Sequence, residues 1–478
     1  MTHVNRPEKA MRIKQLYTPC LSEAAYFIES NGQAAVIDPL REVEPYLELA
    51  RQWNAEIKYV FETHFHADFV SGHIDLADTT DATIVYGPTA KPGFDAHVAA
   101  DGEIIQLGDI RIKVLHTPGH TMESSCFLLI DERGKDNAIF TGDTLFLGDV
   151  GRPDLAVKTN LSREDLAGKL FDSLRKKIMP LADDITVYPG HGKGSACGKL
   201  MSDATVDSLG NQKRTNYALQ PDLSRSEFIE KVTAGLVAPP QYFPKNAKMN
   251  KEGYTRFEDV LDQGVTGLYV HEFVQLAEKN DALIIDTRSA NAFAEGHIPG
   301  SVFFGISGDF APWFGALVND IDRAILFVAD PDREAEVVTR LARVGYDNTL
   351  GYLIGGMDAW KKEGKDLAKV EQVRAKDIQY MSDFEVHLLD VRKASEFDMQ
   401  HVVGARSIPL GFMDKCLPTM NGEHSFFVYC AGGYRSMIAA SILKRRGFHN
   451  VVNIKGGFKA LSKTGLVLSK YQPQVSML

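Results

Sequence analysis

Up to about residue 200, short apolar runs alternate with breaks rich in Gly, Pro and Asp, which predicts strands separated by turns and a few helices. Strands are expected at 34–37, 57–61, 82–86, 110–115, 125–130, 138–140 and 185–188. After Ser162 the period changes. Leu166, Leu170, Leu174 and Ile178 fall on one helical face, with Ser162 placed as N-cap and Pro180 just beyond the end, so a helix is predicted there. Between about 220 and 265 the pattern breaks down around Pro239-Pro240, Pro244, Asn246, Asn250 and Gly253, and a linker or domain edge is expected.

Beyond that break the chain repeats itself. Leu283-Ile-Ile-Asp-Thr-Arg288 returns as Leu388-Leu-Asp-Val-Arg392, His297 as His401, and Gly355-Gly356 as Gly456-Gly457. Each copy reads as strand, acidic-arginine turn, strand, helix, then a strand ending in Gly-Gly and a helix, an alternation that implies a mainly parallel sheet covered by helices. The expected class is α/β multidomain, divided at 1–250, 251–368 and 369–478.

Composition narrows the setting. Of 478 residues, 44% are hydrophobic and 24% charged, enough for several cores. Lys and Arg total 53 against 63 Asp and Glu, a net charge of −10 that offers no broad attraction for nucleic acid or an anionic membrane. No apolar run reaches membrane-spanning length, and the start, Met1-Thr-His-Val-Asn-Arg-Pro-Glu, carries an acid and a proline where a secretory segment would be apolar. A cytoplasmic location is expected. The cysteines Cys20, Cys126, Cys197, Cys416 and Cys430 are odd in number, scattered and free of C-x-x-C pairs, which argues against a disulfide framework or a Cys-rich zinc site.

Candidate chemistry gathers at predicted strand tips. Thr63-His-Phe-His-Ala-Asp-Phe69, Thr117-Pro-Gly-His-Thr121, Thr141-Gly-Asp-Thr-Leu145 and Tyr188-Pro-Gly-His-Gly192 each place His or Asp at the end of a strand, and together they point to a metal. In this order they resemble the metallo-β-lactamase superfamily over about 12–200, which implies an αββα sandwich. Where the H-x-H-x-D-H motif ends in a second His, this chain has Phe69, which offers a metal no donor atom. The resemblance then implies a single ion held by His64, His120 and Asp143, with His66, Asp68 and His191 as surrounding hydrogen-bonding groups. Two imidazoles and a carboxylate form the donor set of non-haem Fe(II) oxygenases.

The stretches 63–72, 118–124 and 142–154 look specifically like the persulfide dioxygenase branch. That likeness implies one Fe(II) per chain, O₂ and a small-molecule thiol persulfide such as glutathione persulfide as substrates, and sulfite as product. Arg152 is a candidate contact for an anionic substrate. Cys197, in the Gly-rich loop after His191, is expected near the pocket either as a sulfur acceptor or as a small residue in a tight turn.

In the last module the strand at 425–429 delivers Cys430 into Ala431-Gly432-Gly433-Tyr434-Arg435-Ser436, after which the pattern turns helical. Such a turn surrounds sulfur with backbone N–H groups at a positive helix end, an environment that favours a thiolate. The C-x4-R loop, with Asp390-Val-Arg392 and Gly456-Gly-Phe458, resembles a rhodanese domain over about 374–465. The resemblance implies that Cys430 carries sulfane sulfur between thiosulfate, persulfide and sulfite, with Arg435 assisting and Ala431, Gly432, Gly433 and Tyr434 lining the substrate site. The copy at about 270–365 is similar to rhodanese too, but aligns Asp330 with Cys430 and lacks a thiol, so a structural role is expected. A bifunctional sulfur enzyme, assembled as a homodimer or homotetramer, is the reading that follows. A binuclear zinc thioesterase of the glyoxalase II type and a non-catalytic sulfur carrier are its competitors.

Overall fold

The computed structural model describes residues 11–155, 161–236, 238–381, 387–420 and 422–472; the N-terminal stretch on which the leader argument rests lies outside them. The chain forms two compact units. The first runs to Phe257 and takes in Ala342–Gly345, and the second comprises Glu258–Leu341 and the chain from Tyr346.

The first unit is built on two six-stranded sheets. One holds β1 (Arg12–Thr18), β2 (Glu23–Ser30), β3 (Gln33–Ile37), β4 (Glu56–Glu62), β5 (Thr83–Tyr86) and β6 (His97–Val98) in that order. The other orders β12 (Asp207–Ser208), β11 (Thr186–Pro189), β10 (Asp136–Gly142), β9 (Ser125–Ile130), β8 (Ile110–His116) and β7 (Ile104–Leu107). Their inner faces share one core in which Ile28, Ile37 and Phe61 meet Ile112, Phe127 and Phe140. Helices cover both outer faces. Tyr46 and Leu76 pack on the first sheet, and Leu170, Leu174 and Ile178 on the second. The expected αββα sandwich therefore follows from strands that bury both faces, β2 and β9 along their whole length.

All seven predicted strands are present, within a residue or two at their ends. The predicted helix begins at its Ser162 cap, closes a capping box with Asp165, and passes at Leu174 from α to a π-helical turn. The expected linker region is instead largely helical. Helices Arg225–Thr233, Phe243–Glu252 and Phe257–Gly264 occupy it, because Pro244 falls in a first helical turn, where a proline is tolerated, and Asn246 and Asn250 are buried rather than in turns.

The second unit contains two modules of identical topology. The first is ordered β13 (Gly267–Leu268), β17 (Thr349–Leu353), β16 (Ile325–Val328), β14 (Leu283–Asp286), β15 (Val302–Phe303). The second is ordered β18 (Glu371–Arg374), β22 (Val451–Lys455), β21 (Phe426–Tyr429), β19 (His387–Asp390), β20 (Arg406–Ser407). All ladders are parallel.

The repeated residues explain each other. Arg288 and Arg392 fold back onto Asp286 and Asp390 at 2.6 Å and reach the carbonyls of Gly296 and Gln400. His297 and His401 stack on Phe293 and Phe397 at 3.8 and 3.7 Å, each donating Nδ1–H to that phenylalanine's carbonyl. Strand register corrects one sequence alignment. Asp286 pairs with Val328, and Asp390 with Tyr429, so the residue that matches Cys430 is Ala329, with Asp330 one position further on.

Candidate metal centre and sulfur loop

Four strand ends bring the histidines and aspartates of the first unit together. The loop after β4 carries His64, His66 and Asp68, the turn after β8 carries His120, the end of β10 leads to Asp143, and β11 leads to His191. One nitrogen or oxygen each of His64, His120 and Asp143 lies within 4.8 Å of the others, and all three residues are buried.

Outer hydrogen bonds fix which imidazole nitrogen faces the cluster. The Thr63 hydroxyl donates to Asp38 Oδ2 at 2.8 Å, having only one proton to give, and so accepts from His64 Nδ1 at 3.0 Å. His120 Nδ1 donates to the Arg152 carbonyl at 2.9 Å, since a carbonyl can only accept. Both rings therefore turn Nε2 toward the cluster, and that of His120 lies 3.3 Å from Asp143 Oδ2. Burial and the neighbouring histidines push His64 well below the usual imidazole range, which keeps it neutral. Both Asp143 oxygens are buried with no hydrogen-bond partner among the described residues. Orphaned carboxylate oxygens facing two imidazole lone pairs are costly unless a cation joins them, so the donor set fits a metal ion.

The neighbouring groups differ. His66 Nε2 lies 3.0 Å from Asp38 Oδ1 and 3.5 Å from Glu62 Oε2. Burial opposes a charge on His66, but the two carboxylates outweigh it and push the ring up to about 10. Phe69, fully buried, lies against the His66 ring at 4.4 Å. His191 donates Nδ1–H to the Ser22 carbonyl at 3.2 Å and sets Nε2 3.2 Å from Asp68 and 3.5 Å from Asp143. His66, Asp68 and His191 thus form a second cluster beside the first.

Cys197 falls beside the cluster, where it is expected, and Arg152 is paired within its own loop. Arg152 is buried and forks onto Asp154 at 2.6 and 2.7 Å, with a further bond to the Ala196 carbonyl, so its guanidinium fastens the loop. Cys197 is buried beside Asp143 and His191; burial and the charges of Asp68 and Asp143 push its thiol well up. Two residues escaped the sequence reading. Asn250 donates to the carbonyls of His66 and Phe69, both at 2.7 Å, and accepts from the Ser71 N–H at 2.9 Å, clamping the metal loop from the helix Phe243–Glu252. Glu23 is buried with both oxygens unpartnered among the described residues and is pushed well up by burial.

In the second unit Cys430 follows β21 at the base of a turn that opens the helix Tyr434–Arg445. The Gly433 N–H donates to Cys430 Sγ at 3.1 Å. Gly433 (φ 118°) and Gly457 (φ 55°) are left-handed, and a Cβ on Gly457 would stand 2.3 Å from the Cys430 carbonyl oxygen. Arg435 forks its guanidinium onto Glu396 at 2.6 and 3.0 Å and also interacts electrostatically with Cys430. Tyr434 donates its hydroxyl to the Gly305 carbonyl of the thiol-free module at 2.8 Å. A cavity of about 620 Å³ opens over this turn, lined by Gly432, Gly433, Tyr434 and Lys455 and, from the other module, by Arg288 and Asp309. Ala431 is outside that lining; its carbonyl accepts from the Lys459 N–H at 3.1 Å.

A buried His/Asp cluster at the strand ends of an αββα sandwich is a donor set that fits a metal ion, and the paired parallel-sheet modules place Cys430 in the turn that opens a helix. The Metallo-beta-lactamase superfamily model matches residues 18–191, and the Rhodanese-like domain model matches 269–363 and 375–464. A metallo-beta-lactamase from Staphylococcus aureus subsp. aureus COL is 32% identical, covering 72% of this chain and 99% of its own, with a TM-score of 0.63. Hydroxyacylglutathione hydrolase from Rhizobium etli is 35% identical over 212 residues, 43% of this chain and 75% of its own. ETHE1 from Myxococcus xanthus is 30% identical, covering 50% of this chain and 98% of its own, with a TM-score of 0.43. The chain belongs to the metallo-β-lactamase superfamily and carries two rhodanese-like domains. It spans about 60% of the length of several other curated hydroxyacylglutathione hydrolases it matches.

Proposed function

We propose that the chain is a sulfur-metabolism enzyme that oxidises a low-molecular-weight thiol persulfide with O₂ at one Fe(II), and moves sulfane sulfur through Cys430. The observation that carries this reading is Phe69, buried against His66 at the position from which a second ion would be held. His66 Nε2 faces Asp38 and Glu62, whereas His64, His120 and Asp143 converge within 4.8 Å of one another.

Iron bound by these three would supply O₂ chemistry and a seat for the persulfide sulfur. The chain's own residues orient the centre: Thr63 and the Arg152 carbonyl hold the two imidazole tautomers, and Asn250 holds the loop between them. The balanced reaction is RSSH + O₂ + H₂O → RSH + HSO₃⁻ + H⁺, in which the outer sulfur is oxidised and O₂ reduced. At Cys430 the outer sulfur of a Cys430 persulfide passes to sulfite. The S–S bond breaks toward the Cys430 thiolate and a new S–S bond forms thiosulfate, or the reverse.

The competing reading is a binuclear thioesterase. The His66–Asp68–His191 cluster and the hydrolase relatives favour it. Metal analysis of protein isolated under reducing conditions decides between them. About one iron per chain with O₂ uptake on glutathione persulfide supports the proposal, whereas two zincs with anaerobic cleavage of S-lactoylglutathione discards it. Cys430→Ser is expected to abolish thiosulfate formation and spare O₂ uptake, and His120→Ala to abolish O₂ uptake.

A further inference from the structure

Away from Cys430, the two modules of the second unit enclose another cleft, of about 270 Å³. Among its lining residues are Lys369, Lys444, Arg445, His297 and His449, and none is acidic. Lys444 and Arg445 end the helix Tyr434–Arg445, where cations also offset the helix carbonyls. That role explains neither Lys369, from the segment joining the modules, nor His449.

Hydrogen bonds hold the walls without neutralising them. Arg445 donates to the Gly300 carbonyl at 2.6 Å, and Lys444 donates to the His449 carbonyl at 3.0 Å, and neither of these bonds is to a carboxylate. Lys369 has no ion-pair partner among the described residues. Ser301, 2% exposed, lines the same cleft, and its Oγ is buried without a partner among the described residues. An unmet hydroxyl costs free energy unless something in the cleft accepts its proton. Convergent cations and a waiting hydroxyl are complementary to a compact dianion.

We propose that this basic cleft binds a doubly charged tetrahedral oxyanion, either inorganic phosphate or the phosphate of a small phosphomonoester. The site is independent of the metal-centre reading and is separate from the cavity over Cys430.

The test is lysine protection in the full chain at constant ionic strength. Phosphate or adenosine 5′-monophosphate is titrated in, a water-soluble acylating reagent is applied, and modified peptides are quantified by mass spectrometry. Lys369 and Lys444 are expected to be protected saturably. Lys455, beside the Cys430 turn, reports anion binding there, and exposed Lys279 reports non-specific screening. Ser301→Ala should raise the protection midpoint about tenfold, the effect of losing one hydrogen bond to a charged group. Protection by both ligands at one midpoint assigns the free ion's chemistry, and a lower midpoint with the nucleotide assigns a phosphomonoester. Protection of Lys455 alone, protection of Lys279 equal to that of Lys369, or a Ser301→Ala midpoint equal to wild type overturns the proposal.

Discussion

Thr63→Val tests how the metal loop is tuned. The substitution keeps the side-chain volume and removes the hydroxyl that stands between Asp38 Oδ2, at 2.8 Å, and His64 Nδ1, at 3.0 Å. Without it His64 no longer has a partner that fixes the Nδ1–H tautomer, and its Nε2 lone pair faces Asp143 only part of the time. Loss of such an outer partner lowers metal affinity about 10–100-fold, or about 1.4–2.7 kcal/mol. Asp38 Oδ2 also loses its donor while buried, which costs about 1–3 kcal/mol of folding stability. The assay is metal transfer to a chelator of known affinity, with urea unfolding of the metal-free protein in parallel. Thr63→Ser retains the hydroxyl and is expected to recover wild-type affinity to within about threefold. If the Val variant binds as tightly as wild type, or the Ser variant as weakly as Val, the hydroxyl does not set the tautomer and the argument fails.

Restoring the missing ligand by Phe69→His should raise metal content from about one toward two ions per chain and depress persulfide-dependent O₂ uptake; an unchanged stoichiometry of one would show that Phe69 is not what excludes the second ion. Gly457→Ala places a Cβ 2.3 Å from the Cys430 carbonyl oxygen at a left-handed residue and should abolish thiosulfate formation, whereas Gly356→Ala, with φ 53° but its nearest neighbour at 3.8 Å, should cost only about 1–2 kcal/mol. Unfolding of the two variants in urea, with equal losses, would refute the steric account. Burial, with the Lys444 charge adding to it, pushes His297 down to about 4. Because the folded ring gives up its proton more readily than the unfolded one, stability is full above about pH 6.5 and falls as pH drops toward 4, by roughly 2–3 kcal/mol. Urea midpoints in phosphate-free buffer should show this slope in wild type and not in His297→Asn.

The metal cluster was legible because its residues sit in four short motifs, each at a strand end, where the side chains of different motifs converge. The β2–β3 hairpin was equally legible and was overlooked: Asn31-Gly32, both left-handed, form the two-residue turn that pairs Ser30 with Gln33. Asn250 was not legible. It lies 184 positions from the His66 carbonyl it holds, and in sequence an asparagine beside Gly253 reads as a turn former. Arg152 and Arg435 show a similar limit. Each guanidinium forks onto a carboxylate, Asp154 or Glu396, and sequence spacing does not reveal where a fork points.

The duplicated modules separate what the backbone supplies from what the side chains supply. Asp332 (φ 65°) is left-handed at the position matching Gly433 (φ 118°), and Gly355 and Gly356 repeat the positive φ of Gly456 and Gly457. Both turns therefore keep the backbone that aims N–H groups into the loop. The side chains diverge instead: Ala329 stands for the thiol of Cys430, Asp330 and Asp332 for Ala431 and Gly433, and Glu334 for Arg435. Carboxylates at those positions oppose the entry of an anion into the turn. The first module thus keeps the frame without the thiol. What it retains is a wall, contributing Arg288 and Asp309 to the cavity over Cys430 and the Gly305 carbonyl that anchors Tyr434 on the first turn of the reactive helix.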